Sequence, residues 1–183
     1  MHEFTVYSAR LEPLQLDEVR DRLAEYGFPI LLLAESEQHL GSSRWFASLE
    51  PEGTTETTAE DETMVDTGMI VIDIQADPAL VAGAVGSLAE SLESAEQDEE
   101  TVELLAALRS AKRSYFCAVD GSPSSGVRIL QVAVLVACLD LTDGVLHDGE
   151  TEEFFRRGSV EAFLKRELGA AAHPISESIG KRR

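Results

Sequence analysis

The run Val127 to Leu141, VRILQVAVLVACLDL, constrains the fold more than any other stretch, because only Arg128, Gln131 and Asp140 in it are polar. An element that is apolar nearly all round has to be packed nearly all round. About fifteen residues is long for a strand and ordinary for a helix, so the run predicts a core helix, with a buried strand as the alternative. It is shorter than the ~20 apolar residues that span a bilayer, and Arg128 sits near one end. Ser124 and Ser125 precede it, and either hydroxyl can cap the first turn. Thr142, Asp143 and Gly144 break it. Val145 and Leu146 then begin a short strand that His147, Asp148 and Gly149 end.

The rest of the chain supplies elements to cover this helix. Phe4–Ser8 alternates and is rich in β-formers, which predicts a first strand. Leu16, Val19, Leu23 and Tyr26 follow at helical spacing, with Gly27 as the residue that ends the helix. Residues 29–34, PILLLA, form a short continuous apolar strand of the interior kind, and the strand–helix–strand order sets it parallel to the first. Arg44–Leu49 and Met69–Ile74 are further strands. In the first of these, Trp45 and Ala47 face one side and Phe46 and Ser48 the other. Asp77-Pro78 opens a helix, with Asp77 as N-cap and Pro78 in the first turn. A shorter helix runs from Thr101 to Lys112, a strand from Tyr115 to Val119, a helix through TEEFFRR from about Thr151, and a last helix from Ser159.

This order predicts one α+β domain over residues 1–168. Its sheet is mixed or mostly antiparallel around a ferredoxin-like β-α-β-β-α-β kernel, with helices packed on it and extra C-terminal helices. Residues 50–68 hold too few apolar side chains to fold alone and predict a mobile acidic loop. Residues 169–183 show no periodicity and predict a flexible tail.

Charge is the strongest global signal. The net charge is −19, and every one of the 15 Lys and Arg lies outside Trp45–Leu108, a window with 16 Asp and Glu. A field of that sign opposes nucleic acids and anionic membranes and attracts basic partners. Glu60, Asp61, Glu62, Asp66, Glu96, Asp98, Glu99 and Glu100 are the expected partner-binding residues. A solvated face that keeps the chain soluble is the alternative, and salt adaptation a third. No charged–apolar–cleavage pattern opens the chain. Cys117 and Cys138 fall inside apolar runs, so buried reduced thiols in a cytoplasmic protein are expected, with a single disulfide as the alternative.

Motifs for chemistry are sparse. Asp143, His147, Asp148 and Glu150 are ligand types for a divalent ion or a general base, but their spacing fits no calcium loop and there is no second His at helical offset. Asp143, His147 and Asp148 are therefore catalytic candidates only for an alternative small hydrolase or metal-dependent enzyme, and no metal site or cofactor is expected. Gly121–Gly126 precedes a helix but lacks the Lys-Ser/Thr of a phosphate-binding loop. No Gly-x-Ser-x-Gly is present. Asp66, Asp73 and Asp77 surround one strand, where Asp73 needs water or a partner.

From Ser114 to Phe155 the chain runs strand, GSPSSG, apolar helix, TDGVLHD, helix. On Asp143, Gly144, His147 and Asp148 this segment resembles small bacterial α+β proteins of unknown function, some of them immunity proteins of polymorphic toxin systems. The resemblance implies a cytoplasmic binder with no catalytic residues to carry over. Acidic proteins of that kind meet basic toxin surfaces. The function expected is thus non-catalytic binding of a basic protein partner, as an immunity or anti-toxin factor, with a chaperone or adaptor for a secreted effector as an alternative.

Overall fold

A computed structural model describes residues 2–28, 30–35, 42–49, 68–94 and 98–181. Seven strands form one sheet: β1 (His2–Ser8), β2 (Ile30–Ala34), β3 (Ser42–Leu49), β4 (Met69–Gln75), β5 (Arg113–Val119), β6 (Val145–Asp148) and β7 (Glu153–Phe155). Their order is β2-β3-β4-β5-β1-β6-β7, and every neighbouring pair is antiparallel. The chain is thus an α+β protein with helices packed on an antiparallel sheet. β1 and β2 run the same way, as the strand–helix–strand order predicts, but β3, β4 and β5 lie between them where a ferredoxin-like kernel places one strand. Nor is β2 interior: it is the edge of the sheet, with Leu31 and Leu33 half exposed.

The run that constrains the sequence is the central helix α4 (Ser125–Thr142), capped by the Ser124 hydroxyl, which accepts from the Val127 N–H. It is long and apolar enough to cross a membrane by composition, and its side chains from Leu130 to Leu139 are buried inside the fold. They pack on Phe4, Val6, Tyr115, Cys117 and Leu146, one face of the sheet. Helices α1 (Leu16–Glu25), α5 (Val160–Leu168) and α6 (His173–Gly180) complete this layer. On the opposite face Val81 and Val85 of α2 (Pro78–Glu93) and Leu108 of α3 (Glu99–Arg109) cover Tyr7 and Val145.

The three polar residues of the central run each have a satisfied role, as burial demands. Gln131 donates to the carbonyls of His2 (3.0 Å) and Cys117 (3.1 Å) and so ties α4 to β1 and β5. Arg128 pairs with Glu167 of α5. Asp140 pairs with Arg22 of α1 and, at 2.8 Å, with Arg157.

Two segments differ from expectation. TEEFFRR contains a strand, β7, because the β6–β7 turn holds Glu152 at φ 57° and returns the chain along β6, burying Phe155. Residues 169–180, expected as a flexible tail, form a 3-10 turn and α6. Ala172, Ile175 and Ile179 recur at helical spacing and bury themselves in the main core, and Pro174 stands in the first turn where its missing N–H costs nothing. Ile175→Ala should therefore destabilise the chain by about 2 kcal/mol in urea unfolding, as a core truncation does, where a fraying tail would show no change.

Candidate functional site

Strand geometry separates the residues first marked for chemistry. His147 and Asp148 are neighbours on β6, so their side chains leave opposite faces of the sheet. His147 lies with α3, stacked on Phe154 at 4.6 Å, its Nε2 3.4 Å from Glu152. Asp148 lies with α5: one carboxylate oxygen accepts from the N–H groups of Glu150 and Thr151, which shapes the hairpin, and the other meets Arg166. Glu150 sits 2.6 Å from His2 Nδ1. Asp143 ends α4 in the left-handed conformation (φ 48°), which a short polar side chain tolerates. It lines a cleft of about 400 Å³ whose two bases are engaged, Arg156 by Glu103 and Arg157 by Asp140, while Glu100 on its wall enters no ion pair among the described residues. Among the described residues no group of three His, Cys, Asp or Glu is placed to hold a metal ion.

The other motifs are structural. Ser124 in the 121–126 loop caps α4. Cys117 and Cys138 are buried free thiols, and burial pushes the Cys117 pKa up to about 12 and that of Cys138 higher still, far from a reactive thiolate. Asp77 caps α2. Asp73 faces Arg44 across β3 and β4 and accepts from its Nε at 2.6 Å.

Of the acidic partner-binding residues, Glu60, Asp61, Glu62, Asp66 and Glu96 lie outside the described residues. Asp98 is the N-cap of α3, and the Thr101 N–H it accepts holds its carboxyl below the usual range. Glu99 and Glu100 follow in the first turn, exposed, where the helix dipole favours them. Glu90 is exposed on α2. Among the described residues Glu90, Glu99 and Glu100 enter no ion pair, whereas Glu93 meets Arg109 and Glu103 meets Arg156.

The bases are deployed differently. Arg10, Arg20, Arg22, Arg128, Arg157, Arg166 and Lys181 all lie with the α1–α4–α5–α6 layer or its connections and are all engaged by carboxylates there. The two helical layers thus differ in net charge: acids and bases nearly balance in the first, where Asp21, Glu161 and Lys165 are exposed outside any ion pair among the described residues, and α2–α3 carries five acids against Arg109.

A second feature shares the α2–α3 side. These helices pack over β5, β1 and β6, and the residues that β2, β3 and β4 turn to this side stay partly open. Cross-strand register aligns Leu33, Phe46 and Val71 in one row and Leu31, Ser48 and Met69 in the next, all on this face. Leu31, Leu33 and Met69 are 41%, 49% and 63% exposed, which leaves an apolar shelf open beside the acidic helices. The edge next to it is guarded. Leu31 and Leu33 lie in hydrogen-bonded pairs with β3, which turns the Leu32 carbonyl outward, and Arg20 donates to that oxygen through Nε (3.1 Å) and Nη2 (2.6 Å). Sequence reasoning missed the shelf because a strand with four apolar residues in a row resembles one buried on both faces. Compared with known proteins, the chain matches no family model, no curated protein and no solved structure.

Proposed function

We propose that this is a non-catalytic, cytoplasmic protein-binding protein that engages a basic protein partner through its α2–α3 side, as an immunity or anti-toxin factor does. The observation that carries this reading is the asymmetry of charge between the two helical layers. Most Arg and Lys of one layer are held in internal ion pairs and balance its acids, while α2 and α3 carry five acids against the single base Arg109 and, among the described residues, leave Glu90, Glu99 and Glu100 to solvent in a chain of net charge −19. Unpaired acids on one side raise the local concentration of cationic partners and speed their encounter. The enzyme alternative loses support from the divergence of His147 and Asp148, which no side-chain rotation brings to one substrate atom.

The test is affinity capture from the host lysate at low salt, identification of the retained protein, and titration with that protein purified. The expected partner is basic, and its affinity falls steeply with salt, since exposed charges are screened within about 10 Å at 0.1 M. The triple variant Glu90→Gln, Glu99→Gln, Glu100→Gln should bind about tenfold more weakly, a change of about 1.4 kcal/mol. Asp98 is left intact because it caps α3. A partner whose affinity ignores both salt and the triple variant, or no partner at all, contradicts the reading.

A further inference from the structure

We infer that the open face of β2–β3–β4 is the seat of apolar anchor residues on a basic protein partner, an inference that rests on the function proposed above. Three observations converge. The shelf is made of apolar side chains, Leu31, Leu33 and Met69 exposed and Phe46 and Val71 half-buried between them, and contiguous apolar surface of this kind marks interaction sites. Among the described residues, the charges that β3 and β4 place on this face, Arg44 and Asp73, pair with each other.

The surroundings select the occupant. The sequence between Leu49 of β3 and Met69 of β4 carries seven acids and no base. Glu35, exposed at the end of β2, lies close enough to Arg44 to raise its pKa together with Asp73. A second copy of this chain would bring another −19 to a surface already acidic, so self-association works against the field. A partner that presents one or two leucine- or aromatic-type side chains ringed by Lys or Arg meets both features at once. An apolar centre with a charged rim is the usual anatomy of a specific interface.

The mode of approach also follows. Strand addition at β2 is opposed because Arg20 already occupies the outward Leu32 carbonyl, the middle acceptor of that edge. The partner therefore lies on the face of the sheet, not along its edge.

The experiment compares two short synthetic peptides on the full-length chain at low salt, one alternating lysine and leucine, the other lysine and serine. Backbone amide shifts in the nuclear magnetic resonance spectrum give both affinity and location. The lysine–leucine peptide should bind about tenfold more tightly, since burying even one leucine contributes about 1.5–3 kcal/mol. It should shift Leu31, Leu33, Phe46 and Val71. Leu33→Ser and Met69→Ser, both at exposed positions and so expected to fold, should each cut that preference several-fold and leave the lysine–serine affinity unchanged. Equal affinities with shifts confined to α2 and α3 overturn the shelf and leave the acidic reading standing. Shifts centred on Leu80 or Val102, the exposed apolar residues of those helices, overturn it as well. Binding of neither peptide removes both proposals. A wild-type dimer in sedimentation that Leu33→Ser dissolves assigns the face to a second copy and overturns the basic occupant.

Discussion

Asp140→Ala lowers the stability of the chain by about 3–5 kcal/mol, the cost of removing one partner from a buried ion cluster. The Asp140 side chain is 1% exposed, at the C-terminal end of the helix around which the core is built, and it meets both Arg22 and Arg157. Without it two guanidiniums, 16% and 29% exposed, face each other across α1 and the β7–α5 connection and lose the carboxylate that both meet. Glu25, 3.5 Å from Arg22 and half exposed, offsets only part of that. Urea unfolding reads the loss as a lowered midpoint with an unchanged slope. Asp17→Ala is the control: Asp17 is 86% exposed and pairs with Arg20 across one helical turn, an arrangement whose contribution is about 0.3–0.5 kcal/mol. Equal effects of the two substitutions would deny the cluster its role.

Gly144→Ala is expected to cost about 3 kcal/mol, the upper end of overpacking. A methyl at this position would lie 2.4 Å from the Tyr7 carbonyl oxygen and 3.3 Å from its carbon, and both are backbone atoms of β1, which is paired on both sides. Neither can step aside without breaking the ladder to β5 or β6. The requirement is close approach, not an unusual dihedral, so any side chain is excluded. Gly27→Ala makes the contrast. Its φ of +78° strains a side chain, but nothing lies within 4 Å, so the loss is about 1 kcal/mol. Thermal unfolding of the two variants separates steric from conformational cost.

Both effects lie at the C-terminal end of the run that dominates the sequence, and in that run the sequence was most informative. Its near-complete apolarity specified burial, and its length specified a helix. The Ser124, Asp77 and Gly27 boundaries follow from local capping chemistry and stand where that chemistry places them. Elsewhere the signal was ambiguous for physical reasons. Glu153 to Phe155 shows no alternation over so short a strand, and the turn before it puts the positive φ on Glu152 and not on its glycine, Gly149. Ala172, Ile175 and Ile179 carry a helical period that is too short to stand out from the serines and glycines around it. The continuous leucines of β2 hid an edge strand with one open side.

The site was legible only in part. The acidic bias of Trp45–Leu108 is a sequence fact, but which acids stay unpaired depends on tertiary partners: among the described residues Glu93 and Glu103 have them, and Glu99 and Glu100 do not. Asp98 is drawn into capping, a role that the following Thr101 N–H determines. The opposition of His147 and Asp148 was readable from the period of a strand, since adjacent residues diverge wherever β6 forms. The apolar shelf was not readable, because the packing of α2 and α3 over β5, β1 and β6 decides which side chains of β2, β3 and β4 stay partly open.

The most direct test of the account is the methyl resonance spectrum of the full-length chain, recorded with and without the basic protein recovered by capture. The account predicts that methyls of Leu31, Leu33, Met69 and Val71 move on binding, together with amides in the first turn of α3, and that both sets return as salt is raised. Changes confined to the α1–α6 side, around Leu16 and Leu168, with the shelf and α3 unmoved, would contradict it.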